Sequence, residues 1–107
     1  MTAMEYLKTA IAEEGISQNE LASRLKWSRQ RIWDMFRRNN PNFVSIRTVL
    51  RALDRDIDIR RKDGQELDFD KQKFYQVVEE QEPMFGKMKA ILDVMGYELV
   101  FVKGKID

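Results

Sequence analysis

The chain has 107 residues, with 19 Lys and Arg against 18 Asp and Glu, and it contains neither Cys nor His. This length predicts one domain with a single modest core, and the missing residue types exclude disulfides, thiolate nucleophiles and metal sites built on Cys or His. With 43% hydrophobic and 35% charged residues, the composition is typical of a globular chain that neither is disordered nor spans a membrane.

The first residues lack the basic segment and apolar run that a signal peptide needs. No stretch approaches the ~18 consecutive apolar residues of a membrane span. We therefore expect a cytoplasmic protein with no membrane partner.

Charge is unevenly distributed along the chain. Residues 24–61 hold eleven basic and four acidic residues, a net charge of +7, whereas each flank has a net charge of −3. Ten of the eleven basic residues are Arg, whose planar guanidinium suits phosphate oxygens and base edges. A solvated helical surface is the alternative, because Arg is also a good helix former.

Apolar spacing and N-cap residues predict three helices in the first third of the chain. The first begins after Thr2 and ends at the C-cap Gly15, and an S-x-x-E capping box at Ser17 opens the second, which covers about 18–25. Residues 26–27 leave room only for a tight turn. A third helix then covers residues 28–37, with a Ser as its N-cap.

A loop rich in Asn, with one Pro, follows the third helix and leads to a helix and a strand. We expect Ser45 to cap a fourth helix that ends at Leu53. The segment after it alternates apolar and polar residues, which predicts a strand with one buried face. On this pattern Asp54, Asp56 and Asp58 face solvent.

The last third predicts two more helices and a strand. Helical apolar spacing covers residues 70–81, a Pro ends this helix, and a second amphipathic pattern covers 85–95. The segment 97–102 is apolar at nearly every position, which indicates a strand covered on both faces or joined to a partner chain. A helix followed directly by a strand is thus predicted twice, in residues 49–60 and 91–102, at an offset of 42 residues.

The window from Gln18 to Arg37 has the pattern of a helix-turn-helix. Such a motif needs a small residue midway along its first helix, apolar residues beside the turn and an apolar anchor in its second helix. Ala22 is the small residue. The apolar positions are Leu21, Leu25, Trp27, Ile32 and Met35.

With Ser17-Gln18 before one helix and Ser28-Arg29-Gln30 opening the next, residues 3–61 resemble the lambda-repressor-like (Cro/CI-type, XRE) family of DNA-binding proteins. The resemblance implies a four-helix domain, a recognition helix at residues 28–37 and dimeric binding to duplex DNA. Lys26 departs from the family pattern, which usually has Gly there. A left-handed conformation at this Lys would cost on the order of 1 kcal/mol.

The first turns of a recognition helix reach base edges, and Gln suits adenine as Arg suits guanine. By the resemblance, phosphate contacts come from the start of the preceding helix and from the loop after the recognition helix. The predicted base contacts are Arg29, Gln30, Arg31, Trp33 and Asp34. The predicted backbone contacts are Gln18, Ser28, Arg37, Arg38, Asn40, Asn42 and Ser45.

Some of these residues also have a purely structural interpretation. Ser28 and Ser45 are helix caps whether or not they contact DNA. Arg47 and Arg51, one helical turn apart, either extend the basic surface or form salt bridges with Asp54 and its neighbours.

The expected fold is mainly α. Residues 1–61 form a four-helix lambda-repressor-like DNA-binding domain that ends in a short strand. Residues 62–107 add two helices and a C-terminal strand, with a small two-stranded or intermolecular sheet. This extension carries no Arg, and its acidic and apolar residues suit dimerisation or docking of another protein.

We expect a phage or bacterial repressor that binds a pseudo-palindromic operator as a homodimer. The alternative is an antitoxin or phage accessory protein whose residues 65–107 bind a protein partner. No enzymatic activity, metal or cofactor is expected, because no nucleophile, Gly-rich loop or metal cluster accompanies the carboxylates.

Overall fold

Six helices and two strands follow one another in the computed structural model, which describes residues 2–38 and 41–106. The predicted mainly helical class with a small sheet is confirmed. In the described part of the chain, no helix combines the length and apolar composition needed to cross a membrane. The elements are α1 (Ala3–Glu14), α2 (Gln18–Leu25), α3 (Arg29–Arg37), α4 (Phe43–Ala52), β1 (Arg55–Arg61), α5 (Lys71–Gln81), α6 (Phe85–Met95) and β2 (Tyr97–Lys103).

Side-chain caps set the start of the first four helices. The hydroxyl oxygens of Thr2, Ser17 and Ser28 each accept a hydrogen bond from a backbone N–H in the first turn of the following helix, at 3.1 Å. The prediction that Ser45 caps the fourth helix is wrong. Asn42 is the cap, and its Oδ1 accepts from the N–H of Ser45 at 2.7 Å, because an earlier start brings Phe43 into the core.

The turn between α2 and α3 has the left-handed conformation expected at Lys26. Its φ and ψ are 58° and 34°, and its N–H donates to carbonyl oxygens of Ala22 and Ser23. The N–H of Trp27 also donates to the oxygen of Ala22, at 3.0 Å, and closes the turn. The three-residue connection can therefore bring α3 across α2 in spite of the missing Gly.

β1 and β2 form one intramolecular antiparallel sheet, in which Arg55 is opposite Lys103 and Arg61 is opposite Tyr97. β2 is half-buried, so the expectation of a strand covered on both faces is wrong for β2. It holds instead for β1, where residues 55–59 are all buried.

The expectation that Asp56 and Asp58 face solvent is wrong; of the three aspartates, only Asp54 is exposed. Asp56 is 0% exposed. It accepts hydrogen bonds from Arg47 Nε at 2.7 Å, Arg51 Nη1 at 2.5 Å and the N–H of Ile106 at 2.8 Å. The reason is that α4 lies against β1 and supplies the two arginines one helical turn apart, so the polar face of the strand is covered as well.

Asp58 has a similar environment on the same side of β1. Its carboxylate contacts Lys71 Nζ at 2.7 Å and Arg60 Nε at 3.0 Å. Burial alone would raise the pKa of both aspartates. The hydrogen bonds that Asp56 accepts from Arg47, Ile106 and Ile57 outweigh burial and lower its pKa. The hydrogen bonds that Asp58 accepts from Lys71 and Arg60 lower its pKa in the same way.

Residues 41–61 and 83–103 form the same helix–strand unit twice. Phe43 and Phe85 stand at equivalent positions, and each donates its backbone N–H to the Pro carbonyl of the other unit, at 2.9 and 3.0 Å. Their rings stack with centroids 5.9 Å apart. The offset of 42 residues in the sequence is thus a structural repeat.

The sheet has the same symmetry as these reciprocal contacts. Asp58 lies opposite Val100, exactly one repeat further along the chain. Asp54 and Gly96, which connect helix to strand in the two units, both have positive φ, 58° and 91°. A local two-fold relation therefore joins the two units.

One hydrophobic core draws on both halves of the chain. Tyr75 of α5 and Phe85 of α6 are buried in the same cluster as Leu7 and Ile32. The Tyr75 hydroxyl donates to the carbonyl oxygen of Ile57 at 2.6 Å, and burial raises its pKa to about 12. The residues assigned to a DNA-binding domain and to an extension thus stabilise each other.

We expect Asp56→Asn to destabilise the protein by about 3–5 kcal/mol, because it leaves two guanidinium groups facing an uncharged amide. The control is Asp54→Asn, an exposed position with positive φ that Asn tolerates, with an effect within about 0.5 kcal/mol. Urea unfolding measures both. An equal effect of the two substitutions would contradict the assignment.

The comparison of wild type with Asp56→Asn also predicts a pH dependence of stability. The pKa of Asp56 is lowered by folding, so its carboxylate stabilises the native state above its unfolded pKa of about 3.9. This stabilisation is lost as the pH falls through the folded pKa. We therefore expect the stability gap between wild type and Asp56→Asn to be full near neutral pH and to shrink in acid.

Lys26→Gly should stabilise the protein by about 0.5–1 kcal/mol, because Gly relieves the left-handed strain in the folded state. The greater flexibility that Gly gives the unfolded chain offsets part of this stabilisation. Lys26→Ala retains a Cβ at positive φ and should change the stability little. Thermal or urea unfolding compares the two. If both variants had the same stability, strain at this turn would be disproved.

Candidate nucleic-acid interface

α3 packs against α2 and presents one face to solvent. Ile32 and Met35 of α3 are buried against the core, and Ala22 of α2 is buried where the two helices pack. Phe36 is partly buried against the same core, and the remaining positions of α3 point away from it. The exposed or half-exposed predicted residues on α3 are Arg29, Gln30, Arg31, Trp33, Asp34 and Arg37.

Two arginines are held over aromatic rings on this surface. The guanidinium carbon of Arg31 lies 3.7 Å from the ring centroid of Trp27, and that of Arg37 lies 4.2 Å from the ring of Trp33. Trp33 is 49% exposed, so this ring and its cation form part of the outer surface. Stacking restricts both guanidinium groups while their N–H groups remain available to a ligand.

Gln30 and Asp34 interact along the exposed face of α3. Gln30 Nε2 donates to Asp34 Oδ1 at 3.0 Å, one turn further along the helix. This bond orients the amide and leaves its oxygen and one N–H free. An adenine edge needs one acceptor and one donor of this kind.

Three shallow clefts along α3 gather the predicted contact residues. One lies between α3 and the start of α4, where Arg38, Asn42 and Ser45 border the same space as Ser28, Gln30, Arg31 and Asp34. The second cleft is bordered by Gln18, Arg29 and Trp33. The third is bordered by Gln18, Trp33 and Arg37. Eleven of the twelve predicted residues therefore line one surface, and the twelfth, Asn40, lies outside the described residues.

The second helix–strand unit positions part of this surface. Asn42 is bridged to Met84 across the local two-fold, between the reciprocal hydrogen bonds of Phe43 and Phe85. No sequence motif predicts this contact. The repeat at an offset of 42 residues is the signal that could have indicated it.

The arginines divide into two groups by their partners. Six lie within 4.0 Å of a carboxylate oxygen, including Arg55, which is buried and 2.7 Å from Glu13. The paired arginines are Arg24, Arg47, Arg51, Arg55, Arg60 and Arg61. The salt-bridge interpretation of Arg47 and Arg51 is therefore confirmed, with Asp56, a neighbour of Asp54, as the partner.

The other four arginines are Arg29, Arg31, Arg37 and Arg38, all on α3 or directly after it. None of them has a carboxylate partner within ion-pair distance among residues 2–38 and 41–106. Uncompensated guanidinium groups on one exposed helix form a site suited to phosphate oxygens. Within the described ranges, no three acidic side chains come close enough together to hold a metal ion.

Comparisons with known proteins give no relative for this chain. No protein-family model matches the sequence, and no curated protein or solved structure matches it.

Proposed function

We propose that the protein binds duplex DNA in a sequence-specific manner and that α3 is its recognition helix. The observation that carries this proposal is the division of the arginines: the other six lie within 4.0 Å of carboxylate oxygens, while the four at α3 have no such partner among residues 2–38 and 41–106. Phosphate neutralisation by such side chains dominates the affinity of proteins for DNA. The packing of α3 on α2 supports the proposal, since it leaves the outer face of α3 free to enter a major groove.

The proposed fold is lambda-repressor-like, and the proposed role is that of a phage or bacterial repressor. Two copies of the chain would present their recognition helices about 34 Å apart to a pseudo-palindromic operator. This arrangement explains why a chain with a net charge of only +1 could bind DNA, because its positive charge is concentrated at α3.

The contact residues have separate roles in this proposal. Gln30, oriented by Asp34, reads an adenine, and Arg29 or Arg31 reads a guanine. Trp33 contacts bases one turn further along α3. Phosphates are contacted by Gln18, Ser28, Arg37, Arg38, Asn42 and Ser45, which line the clefts on both sides of α3.

Gln30→Ala should relax discrimination at one base pair by about 1–3 kcal/mol, because it removes a bidentate contact. Gln72→Ala, an exposed Gln in the first turn of α5, is the matched control and should leave discrimination unchanged. Selection of bound sequences from random duplex DNA, followed by gel-shift titration of single-base variants, measures the effect. Unchanged specificity in Gln30→Ala, Arg29→Ala and Arg31→Ala would refute α3 as the reading element.

Arg38→Ala should weaken binding to all sequences alike and reduce the slope of log affinity against log salt by about one, because one phosphate contact is lost. Lys89→Ala removes the same charge from α6 and should leave the slope unchanged. Titrations at several salt concentrations compare the two variants. The same change of slope in both would show that only overall charge matters.

A further inference from the structure

The helices of the two repeated units differ in how completely they are covered. α4 packs against α1 and α2 as well as against the sheet, and its Val49 and the C-cap residue Leu53 are 0% and 3% exposed. At the equivalent positions of α6, Ile91 is 51% and Met95 is 64% exposed. Val94, between them, is 90% exposed. One face of α6 thus keeps apolar residues where the first unit has a covered helix face.

The three exposed residues form a single stripe. Ile91, Val94 and Met95 are spaced i, i+3 and i+4, which places them on one side of α6, next to the side that buries Phe85 and Met88. A contiguous exposed apolar stripe indicates a surface for association. The first unit shows which kind of element covers such a face, since helices pack on α4.

We propose that the surface of α6 formed by Lys87 and this stripe packs against the same surface in a second copy of the chain, with the two helices antiparallel about a two-fold axis near Ile91. This contact specifies the homodimer of the proposed function and, in that respect, rests on it. Self-association is measured without DNA, so a failure of this contact and a failure of DNA binding are distinguishable.

Charge on α6 favours the antiparallel arrangement. Lys87 lies one turn before Ile91 on the side of the stripe, and α6 has no basic residue in its last turn. In an antiparallel pair, Lys87 of each chain lies beside the C-terminal end of the other α6, which carries the negative end of the helix dipole. A parallel pair would instead bring two Lys87 ammonium groups together. The surface is therefore complementary to itself, as a two-fold contact requires.

The first test is the oligomeric state of Val94→Lys. Wild type should sediment as two 12.8 kDa chains, and Val94→Lys should dissociate at least about tenfold more readily, because a buried apolar contact gains a charge of the same sign as the nearby Lys87 of the other chain. Val94 is so exposed in the single chain that its replacement does not disturb the core. Val77→Lys on α5, another exposed Val, is the matched control and should remain dimeric.

A monomeric wild type at all concentrations would overturn the proposal and leave the stripe to a partner of another kind. Equal weakening by Val94→Lys and Val77→Lys would overturn it as well. Two further variants test the antiparallel orientation of the helices. Lys87→Glu should weaken the dimer about threefold or more, whereas Lys89→Glu, on the far side of α6, should not. Equal effects of these two variants would contradict the antiparallel pairing.

The absence of Cys from the chain permits a direct proximity test. Ile91→Cys should form a disulfide-linked dimer under mild oxidation, because the two copies of this residue meet at the axis. Val77→Cys should not be cross-linked. Failure of Ile91→Cys to cross-link would show that α6 does not lie at a two-fold contact.

Discussion

The buried carboxylate of Asp56 is the interaction on which the arrangement of the other elements depends. It joins α4, through Arg47 and Arg51, to β1 and to the backbone of Ile106 near the end of the chain. A carboxylate that is fully buried is tolerated only when its oxygens accept hydrogen bonds from the protein, and here each of these neighbours supplies a donor. The same network removes two arginines from the solvent-exposed charge. Electrostatics in the core therefore determines which cations remain available at the surface.

The local two-fold of the helix–strand units makes the halves of the chain interdependent. The strands pair across it, and the reciprocal backbone bonds of Phe43 and Phe85 fix Asn42, which borders the cleft beside α3. A chain cut after β1 would lose the partner strand and the Phe85 ring, so loss of function in such a truncation would reflect unfolding as much as loss of an interface. Point substitutions on exposed faces separate the roles of the two halves more cleanly.

Local signals predicted most of the secondary structure, and tertiary contacts account for the exceptions. Helical spacing and caps gave α1, α2, α3, α5 and α6 within about a residue, because these signals act within one turn. The alternation in β1 predicts one solvated face, and this prediction is wrong because no local pattern shows that α4 covers Asp56. Similarly, Asn42 and Ser45 are both competent caps, and the burial of Phe43 decides between them. The candidate interface was predictable as a set of residues, whereas the carboxylate partners of the other arginines required the fold.

Two features stand out in residues 2–38 and 41–106, where other groups are largely satisfied: the arginines at α3 that lack a carboxylate partner there, and the apolar stripe on α6. The physics of the two proposed contacts differs. Binding of guanidinium groups to phosphates releases counterions and weakens as salt rises. Packing of the Ile91, Val94 and Met95 stripe against α6 of a second copy removes apolar surface from water and is largely insensitive to salt. A dimer held by α6 would therefore persist at ionic strengths that release DNA. Tuning of operator affinity at α3 could then occur without loss of the symmetry that a pseudo-palindromic site requires.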